Sequence, residues 1–333
     1  MSNQNVPLNF AIIITAHNRK EYLINAINSV LPFRNQGKNL EIIVVKNYQD
    51  IKIDEYIIKN NIINIITDKN ALGSKILLGL SKTSAEVIMF LEDDDYFESS
   101  KFDYVSNLFV NNSNLIYYHN SLIPIDKNGE PLKKWFKQEN RRIKVSSNGN
   151  VKDLRRLIRY GRHNLSAITI RANLLRKQGF LISNYTYSLD YAVLFIALAY
   201  GGEVISDEKL LTFYRVHNST SYYDSADINT LSNYMRDCYA DIISIYDSIQ
   251  KKATMNPNVY NFINRFKYGA IISKSFYNGD RSLNPLDFFE YVKYTTTLSE
   301  SILDFIKWSL LIFPKNIRLK ILLIIRDRLI HRN

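Results

Sequence analysis

Short apolar runs alternate with helix-like segments through the first hundred residues of this 333-residue chain, and this alternation constrains its fold most. The apolar runs are rich in β-branched residues and too short to be buried helices. They span residues 10–15, 41–45, 61–67 and 87–91. Between them, residues 20–31 and 74–81 are expected to be helices. Strands and helices in alternation favour right-handed crossovers, so the sequence predicts an α/β fold with a mostly parallel sheet and helices on both faces.

The second half of the chain indicates a change of architecture. Strand-like and helix-like segments continue to about residue 222, and the remainder is mostly helical. We therefore expect a first domain over residues 1–222, with two halves at about 1–98 and 99–222, and a helical C-terminal region over 223–333.

Composition restricts the class of protein. The hydrophobic fraction of 46% is ordinary for a globular protein and excludes disorder and collagen-like repeats. A single cysteine, Cys238, excludes an internal disulfide and a cysteine-based zinc site. The first residues lack the basic start and apolar run of a secretory signal, so we expect a cytoplasmic protein.

The net charge of +11 fits either nucleic acid or another anionic partner, such as a membrane surface or a phosphorylated substrate. The 23 tyrosines could stack on bases, but they are spread along the whole chain. The sequence has no basic stripe with interleaved aromatic residues and no zinc-finger or RNA-recognition signature. We therefore expect no nucleic-acid partner.

An acidic motif, Glu92-Asp93-Asp94-Asp95, directly follows the fourth apolar run. In an open α/β sheet, ligands bind beyond the carboxyl ends of the strands, where this motif falls. Four adjacent carboxylates repel one another, and Mg²⁺ or Mn²⁺ shared with substrate phosphates is a suitable counter-charge. An alternative stays open, in which the carboxylates are only the acidic N-terminus of the helix expected near Ser99.

Five segments together resemble family 2 glycosyltransferases of the GT-A fold, over about residues 8–221. They are FAIIITAHNRKEYLINAINSVL, EIIVVKN, VIMFLEDDDYF, SLDYAVLFIALAYGG and TFYRVHNSTS, in the order of the family. The resemblance implies an inverting, hexosyltransferase-like enzyme. It would move a sugar from a UDP-, GDP- or dTDP-linked donor to a hydroxyl of a glycan or lipid-linked saccharide, with a divalent metal.

The resemblance also implies roles for individual residues. Those that would contact the nucleotide-sugar are Thr15, His17, Asn18, Asn47, Lys75, Glu92 and Asp93. Those that would hold the metal are Asp94, Asp95 and His217. Asp190 would be the general base that deprotonates the acceptor hydroxyl. Two of these have ordinary alternatives, since an Asp at a helix start is often a cap and a lone His is often a hydrogen-bonded surface residue.

The sequence departs from the family pattern at three places. Lys46-Asn47 replaces the usual acidic pair after the second strand, and Lys46 reverses the local charge. The usual Arg-Asn before the acidic motif is missing, and Lys75 is our candidate for a phosphate-facing charge in its place. Leu189 replaces the acid that usually precedes the base. These departures support an alternative, a catalytically weakened GT-A-fold subunit that binds a nucleotide-sugar.

A nucleotidyltransferase is the third function that the sequence allows, after the glycosyltransferase and the weakened subunit. It would need a glycine-rich basic loop after the first strand to hold a triphosphate, and AHNRKEY has no glycine.

Residues 301–333 carry seven Lys or Arg and two Asp, and their apolar runs are too short to span a bilayer. Basic charge with Trp308 and large aliphatic residues is typical of interfacial membrane binding. Two helices packed on the catalytic domain would explain the same pattern, and the sequence leaves both alternatives open.

Overall fold

The computed structural model describes residues 8–36, 39–132, 142–146, 149–161, 163–216, 228–250, 255–279, 285–294 and 298–321. These residues form two compact units. The first contains the described residues up to 216 together with 255–256, and the second contains 228–250 and the described residues from 257 onward. The predicted metal ligand His217 lies outside the described residues.

The first unit is built on one sheet of nine strands. In chain order, the strands are β1 Phe10–Ala16, β2 Leu40–Lys46, β3 Ile63–Ile66, β4 Val87–Glu92, β5 Tyr96–Phe97, β6 Leu115–Ile125, β7 Ile143–Val145, β8 Ile168–Arg171 and β9 Glu203–Arg215. Their order across the sheet is β3-β2-β1-β4-β8-β6-β9-β5, and β7 pairs with β9. The first four of these run parallel, whereas β8 lies antiparallel to both β4 and β6.

Seven α-helices accompany this sheet. They are α1 Leu23–Val30, α2 Ile51–Lys59, α3 Leu72–Leu80, α4 Lys101–Asn111, α5 Val151–Tyr160, α6 Ala172–Gln178 and α7 Leu189–Tyr200. Helix α1 buries Leu23, Ala26, Ile27 and Val30 with the even-numbered residues of β1 and with α4. On the opposite face, α3 lies so close to β1 that a Cβ on Gly79 would be 2.8 Å from Ile13 Cγ2. The predicted α/β class with helices on both faces is confirmed.

Helix α2 is an element that the sequence analysis did not assign. Its N-terminus is fixed by Asp50, whose Oδ1 accepts a hydrogen bond from the backbone N–H of Ile53 at 3.1 Å. Helix α2 buries Ile53 and Ile57, and it connects β2 to the parallel strand β3. It is therefore a crossover helix, and it brings Asp54 to the end of β2.

The second unit is helical, as the sequence predicts. Its helices are α8 Ile228–Gln250, α9 Pro257–Asn278, α10 Pro285–Lys293 and α11 Leu298–Ser309, followed by a 3-10 turn at Leu310–Ile312. Both α10 and α11 pack on α9, and the rings of Phe288 and Trp308 stack with centroids 4.1 Å apart. Among the described residues, we find no helix with the length and hydropathy needed to cross a membrane.

Candidate active site

The carboxyl ends of β1, β2 and β4 lie side by side and define the edge where a ligand is expected. Thr15 of β1 is in register with Val45 of β2 and with Glu92 of β4. The segments that follow these strands therefore meet at one place, and the backbone N–H of Asp93 donates to the carbonyl of Thr15 at 3.1 Å. Parallel pairing thus brings together three of the sequence segments that contain predicted site residues.

Asn18 and Asn47 join the loops that follow β1 and β2. The backbone N–H of Asn18 donates to Asn47 Oδ1 at 2.9 Å, and Asn47 Nδ2 donates to Asn18 Oδ1 at 2.8 Å. Asn18 has a φ of +56°, a left-handed conformation that Asn adopts more readily than most residues. This turn sends the next residue, Arg19, back toward the acidic motif.

Lys46 lies inside the fold, and its charge is neutralised there. Its side chain is 0% exposed, and its ammonium contacts Asp54 Oδ1 at 2.7 Å and donates to the carbonyl of Tyr48 at 2.6 Å. Because Asp54 comes from α2, the charge reversal noted in the sequence is compensated by a residue eight positions later. Lys46 therefore does not present an unbalanced positive charge at the ligand edge.

Lys75 fixes His17. The Lys75 ammonium is buried, and it donates to the carbonyl of Ala16 at 2.8 Å and lies 2.9 Å from His17 Nδ1. Burial lowers the pKa of Lys75 to about 8, although Asp93 opposes this shift. The pKa of His17 is also lowered, first by burial and then by Lys75 and Arg19. An ammonium has only donors, so His17 Nδ1 accepts from Lys75, and His17 Nε2 lies 3.3 Å from Asn18 Nδ2.

Asp95 is held by donors from distant parts of the chain. Its Oδ2 accepts from Asn164 Nδ2 and Ser166 Oγ, both at 2.7 Å, and its Oδ1 accepts from the backbone N–H of Arg215 at 2.9 Å. Lys101 is buried nearby, and it donates to the carbonyl of Ser166 and to Thr212 Oγ1. Both carboxylate oxygens of Asp95 therefore already have protein partners.

Asp93 and Asp94 share one arginine. Arg19 NH2 lies 2.7 Å from Asp93 Oδ1, and Arg19 NH1 lies 2.7 Å from Asp94 Oδ2. Asp93 Oδ2 is buried and has no hydrogen-bond partner of normal geometry among the described residues. The hydroxyl of Tyr48 is also buried and without a hydrogen-bond partner among the described residues. The pKa of Tyr48 is raised, first by burial and then by Asp93. Two polar atoms of this edge thus lack partners within the described chain.

The acidic motif has more negative charge than its surroundings neutralise. Burial and the adjacent Asp94 raise the pKa of Asp93 to about 7, against the effect of Arg19. Burial and Asp94 likewise raise the pKa of Asp95 to about 7, and the pKa of Glu92 lies well above its usual range for the same two reasons. An additional cation at this edge would relieve that repulsion.

The residues present fit a divalent cation that is shared with substrate phosphates. No group of three His, Cys, Asp or Glu within the described ranges could hold a metal ion by itself. Mg²⁺ commonly binds through one or two carboxylates and takes its remaining ligands from phosphates and water. Asp94, with Asp93 beside it, satisfies that smaller requirement, whereas the two oxygens of Asp95 are already bonded to the protein.

Asp190 lies in the first turn of α7, where its Oδ1 accepts from the backbone N–H of Tyr191 at 2.8 Å. Tyr214 lies in the electrostatic field of both Asp190 and the acidic motif. Its pKa is raised by burial, then by Asp95, Glu92 and Asp94, and finally by Asp190. Asp190 and the acidic motif therefore both act on Tyr214.

Sequence reasoning missed several residues that build the site, namely Arg19, Tyr48, Lys101, Asn164 and Ser166. Asn164 has a φ of +69°, unusual for a residue other than glycine, and its side chain holds both Asp95 and the N–H of Ala167. Of these residues, Arg19 could have been found from the sequence, because it is a basic residue directly after Asn18 at the end of β1. The others are ordinary polar residues whose importance depends on where the chain returns.

Comparisons with known proteins agree with this arrangement. Residues 11–166 match the model of the family described as Glycosyl transferase family 2. A relative from Rickettsia bellii (strain RML369-C), described as an uncharacterized glycosyltransferase, is 32% identical over 126 residues, which are 37% of this chain. The match covers 18% of that relative, so the chain spans less than a fifth of its length.

Crystal structures of S. aureus TarS 1–349 share the fold. The structure without a named ligand has a TM-score of 0.58 at 15% identity, covering 86% of this chain and 79% of TarS 1–349. The complex with UDP-GlcNAc gives 0.54 at 13% identity with the same coverage. The complex with UDP gives 0.52 at 13% identity, covering 88% of this chain and 91% of the other.

The predicted resemblance to family 2 glycosyltransferases is confirmed over residues 11–166, and so is the GT-A fold; these findings support a glycosyltransferase. Fold similarity at this level of identity identifies no ligand of this chain.

The contact between Lys75 and His17 predicts a change in proton affinity. Lys75→Met should raise the pKa of His17 toward its ordinary value, because methionine places no positive charge against Nδ1. The measurement is a pH titration of the His17 ring resonances by NMR. Lys82→Met, which removes an exposed lysine just after α3, is the control and should leave the titration unchanged. An identical His17 titration in Lys75→Met and the wild type would contradict the contact.

Proposed function

We propose that the protein is an inverting, metal-dependent glycosyltransferase that moves a sugar from a nucleotide-sugar to a hydroxyl of a glycan or lipid-linked saccharide. The observation that carries the proposal is the position of the acidic motif at the shared end of β1, β2 and β4, with Asp93 Oδ2 buried and without a partner among the described residues. A ribose hydroxyl of a bound nucleotide would donate to that oxygen.

The donor nucleotide is proposed to be uridine-based, in preference to guanosine- or thymidine-based. Structures with the same fold are complexes of TarS with UDP-GlcNAc and with UDP, which supports this choice. Thr15, His17, Asn18 and Asn47 would face the base and ribose, and the Tyr48 hydroxyl would add a polar contact at the same edge. The contact of Lys75 with Nδ1 would hold the His17 ring in place at this edge.

Family 2 glycosyltransferases generally use a divalent metal, and here Mg²⁺ or Mn²⁺ would be held by Asp94 with support from Asp95 and His217. When bound, such an ion neutralises the charge that develops on the departing diphosphate. Asp95 would act through its three protein donors, which keep the motif in place. Arg215 contributes by donating from Nε to the carbonyl of Asp94 at 2.9 Å.

Asp190 is proposed as the general base. It would take the proton of the acceptor hydroxyl while that oxygen attacks the anomeric carbon and the nucleoside diphosphate leaves from the opposite side. A single displacement of this kind inverts the anomeric configuration and needs no carboxylate nucleophile. The hydrogen bond from the N–H of Tyr191 would orient the carboxylate of Asp190 at the head of α7.

The weakened-subunit alternative rested on Lys46 and on the missing Arg-Asn before the acidic motif. Asp54 neutralises the Lys46 ammonium inside the fold, so the first of these two arguments against an active enzyme loses its physical basis.

Nucleotide binding should depend on the metal and on Asp94. In a thermal-shift screen of UDP-, GDP- and dTDP-sugars, a donor at a hundredfold excess over its dissociation constant should stabilise the protein by about 2.7 kcal/mol. We expect this shift with UDP-sugars plus Mn²⁺ and expect Asp94→Asn to lose the metal-dependent part. The control is Glu55→Gln, an exposed carboxylate on α2. Shifts that are equal with and without metal would contradict the proposed role of the motif.

Asp190→Asn should lower kcat by at least about a hundredfold, because a positioned general base typically contributes that much or more. Donor affinity should stay at the wild-type value. The measurement is turnover with donor and acceptor both saturating. Asp103→Asn, an exposed acid in the first turn of α4, is the matched control. Full turnover in Asp190→Asn would remove Asp190 from the role of base.

We also propose that the enzyme works in the cytoplasm, at the cytoplasmic face of a membrane, where it would meet a lipid-linked acceptor. A single cysteine suits a reducing compartment. Large apolar side chains of α10 and α11 are exposed at three-residue intervals, which places them on one side of each of these two helices. On α10 these are Leu286, Phe289 and Val292, and on α11 they are Ile302 and Phe305. Beyond α11, Ile312, Phe313 and Ile317 are also exposed.

The basic charge of residues 301–333 is distributed less simply than the sequence suggests. Lys307 is buried and donates to Ser273 Oγ at 2.8 Å, and Arg318 is 0% exposed. In the described part of this segment, only Lys315 and Lys320 are left to face anionic lipid headgroups. The exposed apolar side chains of α10 and α11 therefore support the membrane proposal more than the basic charge does.

Removing three exposed apolar side chains should release the protein from vesicles. We expect the wild type to float with vesicles containing phosphatidylglycerol and the triple variant Phe289→Ser, Phe305→Ser, Ile312→Ser to bind at least tenfold more weakly. Ile51→Ser, Ile58→Ser removes two equally exposed residues of α2 and should float like the wild type. Equal flotation of the wild type and the triple variant would remove the membrane proposal.

A further inference from the structure

We propose that Arg19 makes metal binding conditional on the nucleotide. The Arg19 guanidinium lies between Asp93 and Asp94, where it stands in for the divalent cation. The diphosphate of a bound donor attracts the guanidinium, and the carboxylates then become available to the metal. This inference rests on the proposed nucleotide-sugar site and adds to it an order of binding and the residue that imposes it.

The geometry of the three side chains carries the first step. Arg19 NH1 and NH2 each approach a different carboxylate at 2.7 Å, so one planar guanidinium connects Asp94 Oδ2 and Asp93 Oδ1. The side chains of Asp93 and Asp94 are 4% and 7% exposed, whereas that of Arg19 is 30% exposed. The arginine therefore enters the acidic pair from the solvent side, which is the side a ligand must use.

The guanidinium and a metal ion compete for the same oxygen. A divalent ion binds a carboxylate oxygen at roughly 2.1 Å, which would place it within about 5 Å of a guanidinium bonded to that oxygen. The pair is largely buried, so solvent screens the repulsion between the two cations only weakly. Arg19 already takes one oxygen of Asp93 and one of Asp94, so a metal that binds this pair without moving Arg19 must lie beside a second cation. The metal alone is therefore disfavoured while Arg19 stays in place.

A diphosphate reverses this balance. It adds negative charge beside the motif, and the fork of donors in a guanidinium matches phosphate oxygens as well as it matches carboxylates. The backbone need not move, because the reciprocal bonds between Asn18 and Asn47 fix the turn that precedes Arg19. Rotation of the partly exposed Arg19 side chain would exchange its carboxylate partners for phosphate.

The neighbouring Lys20 provides a matched control. It belongs to the same loop, but its ammonium pairs with Asp50 at 3.0 Å and its side chain is 52% exposed. Lys20→Met thus removes one positive charge from the loop without touching Asp93 or Asp94.

The test measures Mn²⁺ binding to the full chain by calorimetry, with and without UDP. The wild type should bind Mn²⁺ at least tenfold more tightly when UDP is present. Arg19→Met should bind Mn²⁺ alone at least tenfold more tightly than the wild type does, and it should bind UDP without metal more weakly. Lys20→Met should match the wild type in all three measurements. Arg19→Lys keeps the charge but can contact only one carboxylate at a time, so its affinity for Mn²⁺ alone should be intermediate.

Two different failures are distinguishable. If the wild type shows the dependence on UDP and both Arg19 variants keep it unchanged, Arg19 does not impose the order and the inference is overturned while the proposed function stands. If the wild type binds no UDP at any Mn²⁺ concentration, the proposed function fails, and the order of binding fails with it. If circular dichroism shows that Arg19→Met does not fold, the Arg19→Lys result decides whether Arg19 imposes the order of binding.

Discussion

Repulsion among four adjacent carboxylates is the constraint on which the first unit depends. Residues 92–95 lie at the buried end of β4, and each charge that remains there needs a donor or a cation nearby. The chain supplies them from far away: Arg19 follows β1, Asn164 and Ser166 precede β8, and the N–H of Arg215 ends β9. The parallel half of the sheet therefore cannot complete this edge without segments that come about seventy residues later.

The negative charge of the acidic motif is only partly neutralised by the protein, and the uncompensated part favours the binding of a cation. The donors of Asp95 fix its position, whereas Asp93 keeps one oxygen without a partner in the described chain and a pKa of about 7. A site that is partly unbalanced in this way gains from a bound cation, from a ribose hydroxyl, or from both. Stability and ligand affinity are thus connected through the same carboxylates.

Departures from a family pattern have to be judged in three dimensions. Lys46 reverses a charge in the sequence, yet Asp54 of α2 neutralises it within the fold. Lys75 was predicted to face phosphate, and the structure places its buried ammonium against Ala16 and His17. In the second unit, Lys307 and Arg318 are buried as well. In each case a positive charge that appeared to be on the surface has an internal position.

The sequence by itself determined the first four parallel strands and the location of the acidic motif, because apolar periodicity and chain order are local properties. It also carried the motifs that show the resemblance to family 2 glycosyltransferases. Tertiary structure decided which residues surround the motif: Asn164 and Lys101 are unremarkable in the sequence, and they matter only because β8 and α4 return beside β4. The ion pair of Asp54 with Lys46 was missed for the same reason, because it forms only when α2 crosses from β2 to β3. Hydrogen bonds and ion pairs are short-range, so their partners are set by distance in space, which residue order alone does not give.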